Sequence, residues 1–228
     1  MENSIAYKQC YVAFLDILGF SDYVKNNDFD KIHRVLQLLT VEQNASPSFL
    51  KMKYDFDFPV NIMLVSDSII LSVEKTIPHA LAALTDLCAV FQTELLLNNQ
   101  MLMRGGISEG DFYLDGTILF GKAYLDAVAL EQKKDKNGKG GVPRIVLDSK
   151  INLKDTLYVR RDEDGFYFVD YMKMVLKNHF ANLKLPKVKK AIECNINNPQ
   201  IGYKYIWLKN YFNDSINKEG RMTEYLVR

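Results

Sequence analysis

Cys10-Tyr11-Val12-Ala13-Phe14-Leu15-Asp16-Ile17-Leu18-Gly19-Phe20 is the stretch on which the reading of this chain turns. Tyr11 to Leu15 form a nearly unbroken apolar run, the pattern of a strand covered on both faces. The run ends at a carboxylate, Asp16, and a glycine follows three residues later. Ser21 and Asp22, just beyond, suit the start of a helix. A strand therefore ends where an acidic side chain begins a turn.

Working outward, Ile32, Val35, Leu36, Leu38 and Leu39 recur at helical spacing and predict a helix from about Asp30 to Gln43. A polar and aromatic connection holding Pro47 and Pro59 then leads to Val60-Asn61-Ile62-Met63-Leu64-Val65, Ser66-Asp67-Ser68 and Ile69-Ile70-Leu71-Ser72-Val73. That is a hairpin with a second carboxylate, Asp67, at its turn. Leu81, Leu84, Leu87, Cys88, Phe91, Leu95 and Leu96 mark a long, buried helix between Pro78 and Leu97. A strand follows from Met101 to Ile107, then a hairpin turning at Glu109-Gly110 with its second arm at Thr117 to Phe120. Gly121 opens a helix to about Gln132, and the Lys- and Gly-rich tract from Lys133 to Pro143 reads as a solvated loop. The order strand, helix, strand, strand, helix, strand is the split βαβ or ferredoxin-like arrangement, an α+β fold.

Beyond the run Arg144 to Asp148 the pattern loosens, with short strands near Tyr158 and from Phe166 to Val169, and helices near Lys187 to Cys194 and Gly202 to Phe212. No composition break divides the chain, so residues 1–228 read as one domain, a core of about 9–150 with a C-terminal elaboration of about 151–228.

The balance of 29 Lys plus Arg against 28 Asp plus Glu gives a formal charge of +1 and no general attraction for nucleic acid or acidic membranes. The polar start MENSIAYKQC has no secretory pattern, and no run of about 18 uninterrupted apolar residues is present to span a bilayer. Cys10, Cys88 and Cys194 are odd in number and far apart, which fits a reducing cytoplasm. His33, His79 and His179 have no metal-ligand spacing.

In a split βαβ sheet the first strand lies beside the hairpin that carries Asp67, so Asp16 and Asp67 are expected to converge. Taken singly, each is accounted for by a helix cap or a turn. Together they would repel, and divalent cations with oxygen preference would satisfy both. Two such ions about 3.5–4 Å apart stabilise the attacking and leaving oxygens of a phosphoryl displacement. The backbone N–H groups of Leu18, Gly19 and Phe20 lie at a strand-to-helix turn, where an anion is favoured.

These residues resemble the class III nucleotidyl cyclases. Phe14-Leu15-Asp16-Ile17-Leu18-Gly19-Phe20 looks like their first metal motif, Val65-Ser66-Asp67-Ser68 like their second, and Met103 to Gly110 and Gly121 to Glu131 like their next strand and helix. The resemblance implies a palm domain that binds two Mg²⁺ or Mn²⁺ ions through Asp16, Asp67 and the main-chain carbonyl of Ile17, in a homodimer with sites at the interface. Met63 and Ile118 stand where adenylate cyclases carry a base-reading Lys and its acidic partner, and Leu125 and Ala129 replace the transition-state Asn and Arg. The layout, with the segment Gly165 to Tyr171, is similar to the pyrimidine cyclases of bacterial Pycsar anti-phage systems, whose cyclic UMP or cyclic CMP is read by a separate effector.

The expectation is thus a cytoplasmic uridylate cyclase acting on UTP, with cytidylate cyclase, purine nucleotide cyclase and catalytically silent nucleotide sensor as alternatives. Arg104 is the expected replacement cation, suited to phosphate oxygens or a uracil carbonyl, with a plain surface or structural ion pair as the equal alternative. Met63 and Tyr54 are expected at the base, Tyr54 by stacking, with aromatic packing in the long connection the reading that accounts for Tyr54 more readily.

Overall fold

The first strand, β1 (Lys8–Leu18), sits at the centre of the sheet because nearly every residue from Cys10 to Ile17 packs against something. In the computed structural model, which describes residues 6–132, 141–154 and 156–228, β1 pairs antiparallel with β3 (Ser68–Glu74) on one side and β4 (Leu102–Asp115) on the other. Outside β3 lies β2 (Asn61–Val65), also antiparallel. The order β2-β3-β1-β4, all antiparallel, is the ferredoxin-like arrangement that the sequence predicts.

The sheet then extends beyond β4. A short strand, β6 (Ile145–Leu147), runs parallel to β4, and β8 (Tyr167–Val169) and β7 (Val159–Arg161) follow antiparallel. The small β5 (Ile118–Phe120) pairs with the outer end of β4. The expected turn at Glu109-Gly110 does not occur there: β4 continues through both residues to Asp115, and the chain reverses at Gly116. Tyr113 and Phe120 stack across this longer hairpin, with ring centroids 4.9 Å apart, a packing gain that an earlier turn would forfeit.

Alternation along β1 separates the two faces. Ala13, Leu15 and Ile17 enter the larger core with α3 (Ala80–Asn99). Cys10, Val12 and Phe14 pack with Ile70, Met63, Ala123 and Tyr124 on the other face, which is covered by α4 (Lys122–Glu131). Asp16 is in phase with this second set. Helix α3 is long and apolar enough to cross a membrane by length and composition alone, although Asp86 and Glu94 interrupt its apolar run, and 89% of its apolar window is buried in this fold.

Gly106 of β4 sets how closely α4 approaches. A Cβ on Gly106 would lie 2.3 Å from the Ala127 carbonyl oxygen, so only glycine lets the helix rest on the strand there.

Helix α2 (Phe29–Tyr54) overruns the predicted end at Gln43 and passes through Pro47. Proline inside a helix costs about 3 kcal/mol. The buried Val35, Leu39 and Leu50 lie on both sides of it, and Ser46 donates its hydroxyl to the Glu42 carbonyl, so the helix continues. The same occurs in α6 (Ala181–Asn195), which begins before the predicted Lys187 and contains Pro186. Between β8 and α6 the sequence reading missed α5 (Tyr171–Lys177), capped by Asp170, whose carboxylate accepts from the Lys173 N–H and from the Tyr211 hydroxyl. Tyr211 lies on the last helix, α7 (Gly202–Glu219). Lys133 to Gly140 of the expected Lys-rich loop, and residues 1–5 of the polar N-terminus, lie outside the described residues.

Candidate active site

Two strand ends meet where the sequence places its carboxylates. Ser66 and Asp67 form the two-residue turn between β2 and β3, Ser66 with a left-handed φ of 57°. The Asp67 carbonyl oxygen accepts the Ile17 N–H at 3.1 Å, which stitches the turn to the end of β1. Asp16 is paired with Ser68 in the β1–β3 ladder. Burial pushes the Asp16 carboxyl above its usual pKa, and the charge of Asp67 adds to that rise, against the Arg104 charge and hydrogen bond and the charge of Lys204. The two aspartates are therefore electrostatic neighbours.

On its other side Asp16 faces Arg104 directly across the β1–β4 ladder. The Arg104 Nε–H donates to Asp16 Oδ2 at 3.1 Å. Beside the same nitrogen lies Glu131 Oε1, the last residue of α4, in an ion pair with Arg104. Glu131 is 7% exposed, and its Oε1 accepts no hydrogen bond among the described residues. Burial raises its pKa too, Arg104 opposes the rise and Asp16 adds to it.

The Leu18-Gly19 turn lines a cavity of about 160 Å³ together with Asp22, Asn195 and Lys204. Gly19 has φ 86°, the left-handed region that glycine enters without strain. The following helix, α1 (Phe20–Lys25), has six residues, and the Phe20 side chain is buried in the core. Lys204 comes from the first turn of α7 and is half-buried, with no carboxylate within ion-pairing distance among the described residues. Burial lowers its pKa, the Arg104 charge lowers it further, and Asp16 and Asp22 raise it. A Cβ on Gly141 would lie 3.4 Å from Arg104 Nη1 and 3.6 Å from Lys204 Cε, so both cations border the same space.

The structure thus brings together Asp16, Ile17, Leu18, Gly19, Asp67 and Arg104. Met63 lies two strands away on the same sheet face. Tyr54 does not join them. It packs on the opposite face with the larger core, its hydroxyl donating to Asp86 Oδ2 at 2.6 Å and its ring stacked on His79 at 5.5 Å. The aromatic connection expected around Tyr54 is instead the last turn of α2, which explains why its ring belongs to helix packing.

Two residues of the site carried no role in the sequence reading. Glu131 had a signal: it stands at the same helical phase as Ala123 and Ala127, a charge on the buried stripe of α4. Lys204 had a fainter one, a cation in the first turn of a helix, where the dipole disfavours it.

Among the described residues there is no group of three or more His, Cys, Asp or Glu side chains arranged for a metal. Two carboxylates with a main-chain carbonyl are nevertheless the donor chemistry of an ion that takes its remaining ligands from phosphate and water. The rise at Asp16 comes first from burial, with the charge of Asp67 a smaller contribution.

No protein-family model matches the chain, and no curated protein matches its sequence. Among solved structures it is similar to the adenylyl cyclase CyaB from P. aeruginosa, at 17% identity over 72% of this chain and 94% of that one, with a TM-score of 0.48. It is also similar to a bacterial light-regulated adenylyl cyclase, at 14% identity over 82% of this chain and 99% of that one, TM-score 0.47. A class III adenylyl cyclase-like ATP-binding protein from Pseudomonas aeruginosa is 14% identical over 63% of this chain and 34% of that one, TM-score 0.40. The class defined by strand order and register is an α+β, ferredoxin-like domain with paired carboxylates at one end of its central strands.

Proposed function

We propose that the protein is a nucleotidyl cyclase of the class III type that converts a pyrimidine nucleoside triphosphate, UTP ahead of CTP, into its 3′,5′-cyclic monophosphate and pyrophosphate. The observation that carries this reading is the hydrogen bond from Ile17 N–H to the Asp67 carbonyl, which fixes the second aspartate at the strand end that bears the first. Asp16, Asp67 and the Ile17 carbonyl would hold two divalent cations, Mg²⁺ or Mn²⁺. Such ions neutralise phosphate charge and lower the pKa of the attacking hydroxyl when bound.

In this reading Asp16 and Asp67 orient the triphosphate at the end of β1 so that the ribose 3′ oxygen faces the α-phosphorus. The hydroxyl proton is lost to water and the 3′ oxygen bonds to phosphorus. The bond from that phosphorus to the bridging oxygen breaks, and pyrophosphate departs with the electron pair. Lys204 and Arg104 meet the departing charge from the Gly141 side, and the amides of the Leu18-Gly19-Phe20 turn from the other. Positioning and charge stabilisation are then the main tasks of the chain.

The apolar Met63 and the exposed Ile118 support a base other than a purine, because neither makes the hydrogen bonds of the Lys and acidic pair they replace. Ile118 is paired with Asp115, eleven residues along β4 from Arg104, which is roughly 35 Å at strand rise. A nucleotide that touches both ends needs two copies of the chain, which supports a homodimer with composite sites. The cytoplasm, the role in anti-phage defence and an effector reading the cyclic product belong to the same proposal and rest on the resemblance alone.

The test is to incubate the purified protein with each of the four triphosphates and Mn²⁺ and to identify the product by mass. Cyclic UMP is the expected product. A purine cyclic nucleotide would replace the base assignment, and absence of pyrophosphate from all four, with nucleotide still raising the melting temperature, would replace the enzyme with a silent binding domain.

A further inference from the structure

Arg104 sits between two carboxylates and satisfies one. Its Nε–H points along a hydrogen bond to Asp16 Oδ2 at 3.1 Å, while Glu131 Oε1 lies beside the same nitrogen, paired by charge and without a hydrogen bond. The Glu131 side chain is 4% exposed, so water does not readily supply the missing donor. A buried ionised acceptor left unsatisfied costs more than an exposed one. The single Nε–H is thus spent on the residue that a cation would need.

We infer that Glu131 is a positioning residue that receives the Arg104 guanidinium when a divalent cation takes Asp16. This rests on the reading of Asp16 as a cation ligand. In the hand-over no covalent bond changes: the Nε–H···Oδ2 hydrogen bond to Asp16 is lost, an Nε–H···Oε1 hydrogen bond to Glu131 forms, and Asp16 Oδ2 is freed for the ion. Arg104 keeps a carboxylate throughout, so it is not pushed out to solvent by the incoming charge. Its Nη groups stay on the Gly141 side, where Lys204 also lies and where a polyphosphate would meet both.

Three features of the fold make the exchange local. Asp16 and Arg104 are directly opposed on paired strands, so their separation is fixed by the ladder. Glu131 is brought to Arg104 because α4 rests on Gly106, two residues along β4 from Arg104. Gly141, which borders the guanidinium, has no side chain to block its rotation.

The experiment is Mn²⁺ binding to the full chain without nucleotide, followed by calorimetry, for wild type, Glu131→Gln, Arg104→Met and the double variant. Glu131→Gln is expected to weaken Mn²⁺ about tenfold, because Arg104 then stays on Asp16, and Arg104→Met to tighten it. In the Arg104→Met background the Glu131 substitution should have little further effect. An equal loss in both backgrounds would mean that Glu131 acts by its own charge or as a ligand, and would overturn the hand-over. So would unchanged affinity in Glu131→Gln.

The wild-type chain gives a second reading that does not depend on any variant folding. The Arg104 Nε–H resonance should shift on Mg²⁺ addition and stay protected from solvent exchange. No shift, or exchange broadening as the group is released to water, counts against the inference. If wild type turns over a triphosphate yet shows none of these effects, only the hand-over falls. If it binds no Mn²⁺ and cyclises nothing, the two-cation reading falls with it.

Discussion

Arg104 and Asp16 stand opposite one another on adjacent strands, and the Arg104 Nε–H binds Asp16 Oδ2 at 3.1 Å. Burial, the larger effect, and the charge of Asp67 raise the Asp16 pKa, while the Arg104 charge and hydrogen bond oppose the rise without cancelling it. A group whose folded pKa is raised is less costly to the fold when neutral. Stability assigned to Asp16 is therefore present when it is protonated and lost as pH rises through its folded value.

Asp16→Asn follows directly. The substitution removes a charge that the fold resists, so the melting temperature measured by calorimetry near neutral pH should not fall. Cyclic nucleotide formation should drop at least about a hundredfold, the scale set by losing a ligand or electrostatic stabiliser in a transition state. Asp67→Asn should show the same split between activity and stability. Full turnover by either variant would remove that residue from the cation site.

Lys204 tests whether the C-terminal helices belong to the site. It is half-buried, unpaired with any carboxylate among the described residues, and reaches the cavity lined by Leu18 and Gly19 from the start of α7. Lys204→Met should raise the KM for the triphosphate about tenfold and weaken inhibition by pyrophosphate. Binding of the free nucleoside should be unchanged. Lys204→Arg should restore part of the loss, since a guanidinium also meets phosphate oxygens. Equal effects on nucleoside and triphosphate would point to a packing role for Lys204.

Tyr54 separates helix packing from base recognition. Asp86 is buried within α3 and accepts from both Lys53 and the Tyr54 hydroxyl. Tyr54→Phe removes one of these donors and should cost about 1–3 kcal/mol by urea unfolding. The KM for nucleotide should stay as in wild type, because the ring lies across the sheet from Asp16. A KM change in Tyr54→Phe without loss of stability would return Tyr54 to the base site.

The strand order was legible because Cys10 to Leu15, Val60 to Val65 and Met101 to Ile107 are apolar runs with turn residues between them, and a ferredoxin-like order is the short-connection solution for such elements. The nearness of the Asp67 turn to the end of β1 followed from that order. What the sequence concealed were effects of tertiary packing on local rules. Pro47 read as part of a connection, and a helix was expected only from near Lys187, yet buried residues on each side carry α2 through Pro47 and α6 through Pro186. Gly110 read as a turn, yet it lies within β4 opposite Cys10, with a φ of 148° that glycine tolerates. Glu131 and Lys204 come to Asp16 from the end of one helix and the start of another. Only the closeness of α4 to Gly106 and the return of α7 beneath the Leu18-Gly19 turn place them there.

The C-terminal elaboration has its own ionic anchor, and its acid sensitivity gives the last prediction. Arg144, 9% exposed, pairs with Asp162 and Asp164 in the hairpin formed by β7 and β8, and the Trp207 Nε1–H of α7 also donates to Asp162. Burial alone would raise the Asp164 carboxyl, but the Arg144 hydrogen bond and charge overcome it and hold the pKa below its ordinary value. A depressed folded pKa means that the stability is fully present above the unfolded value, near pH 4. It is lost as pH falls below that through the folded value. Arg144→Met should leave two carboxylates without their buried partner and cost about 3–5 kcal/mol near neutral pH. In urea unfolding from about pH 6 to about pH 3, wild type should lose stability most steeply below about pH 4. The variant, whose Asp164 is no longer held down by a cation, should lose less over that span. Parallel pH profiles for the two proteins would show that Arg144 does not set the Asp164 pKa and that the hairpin is anchored by its apolar contacts instead.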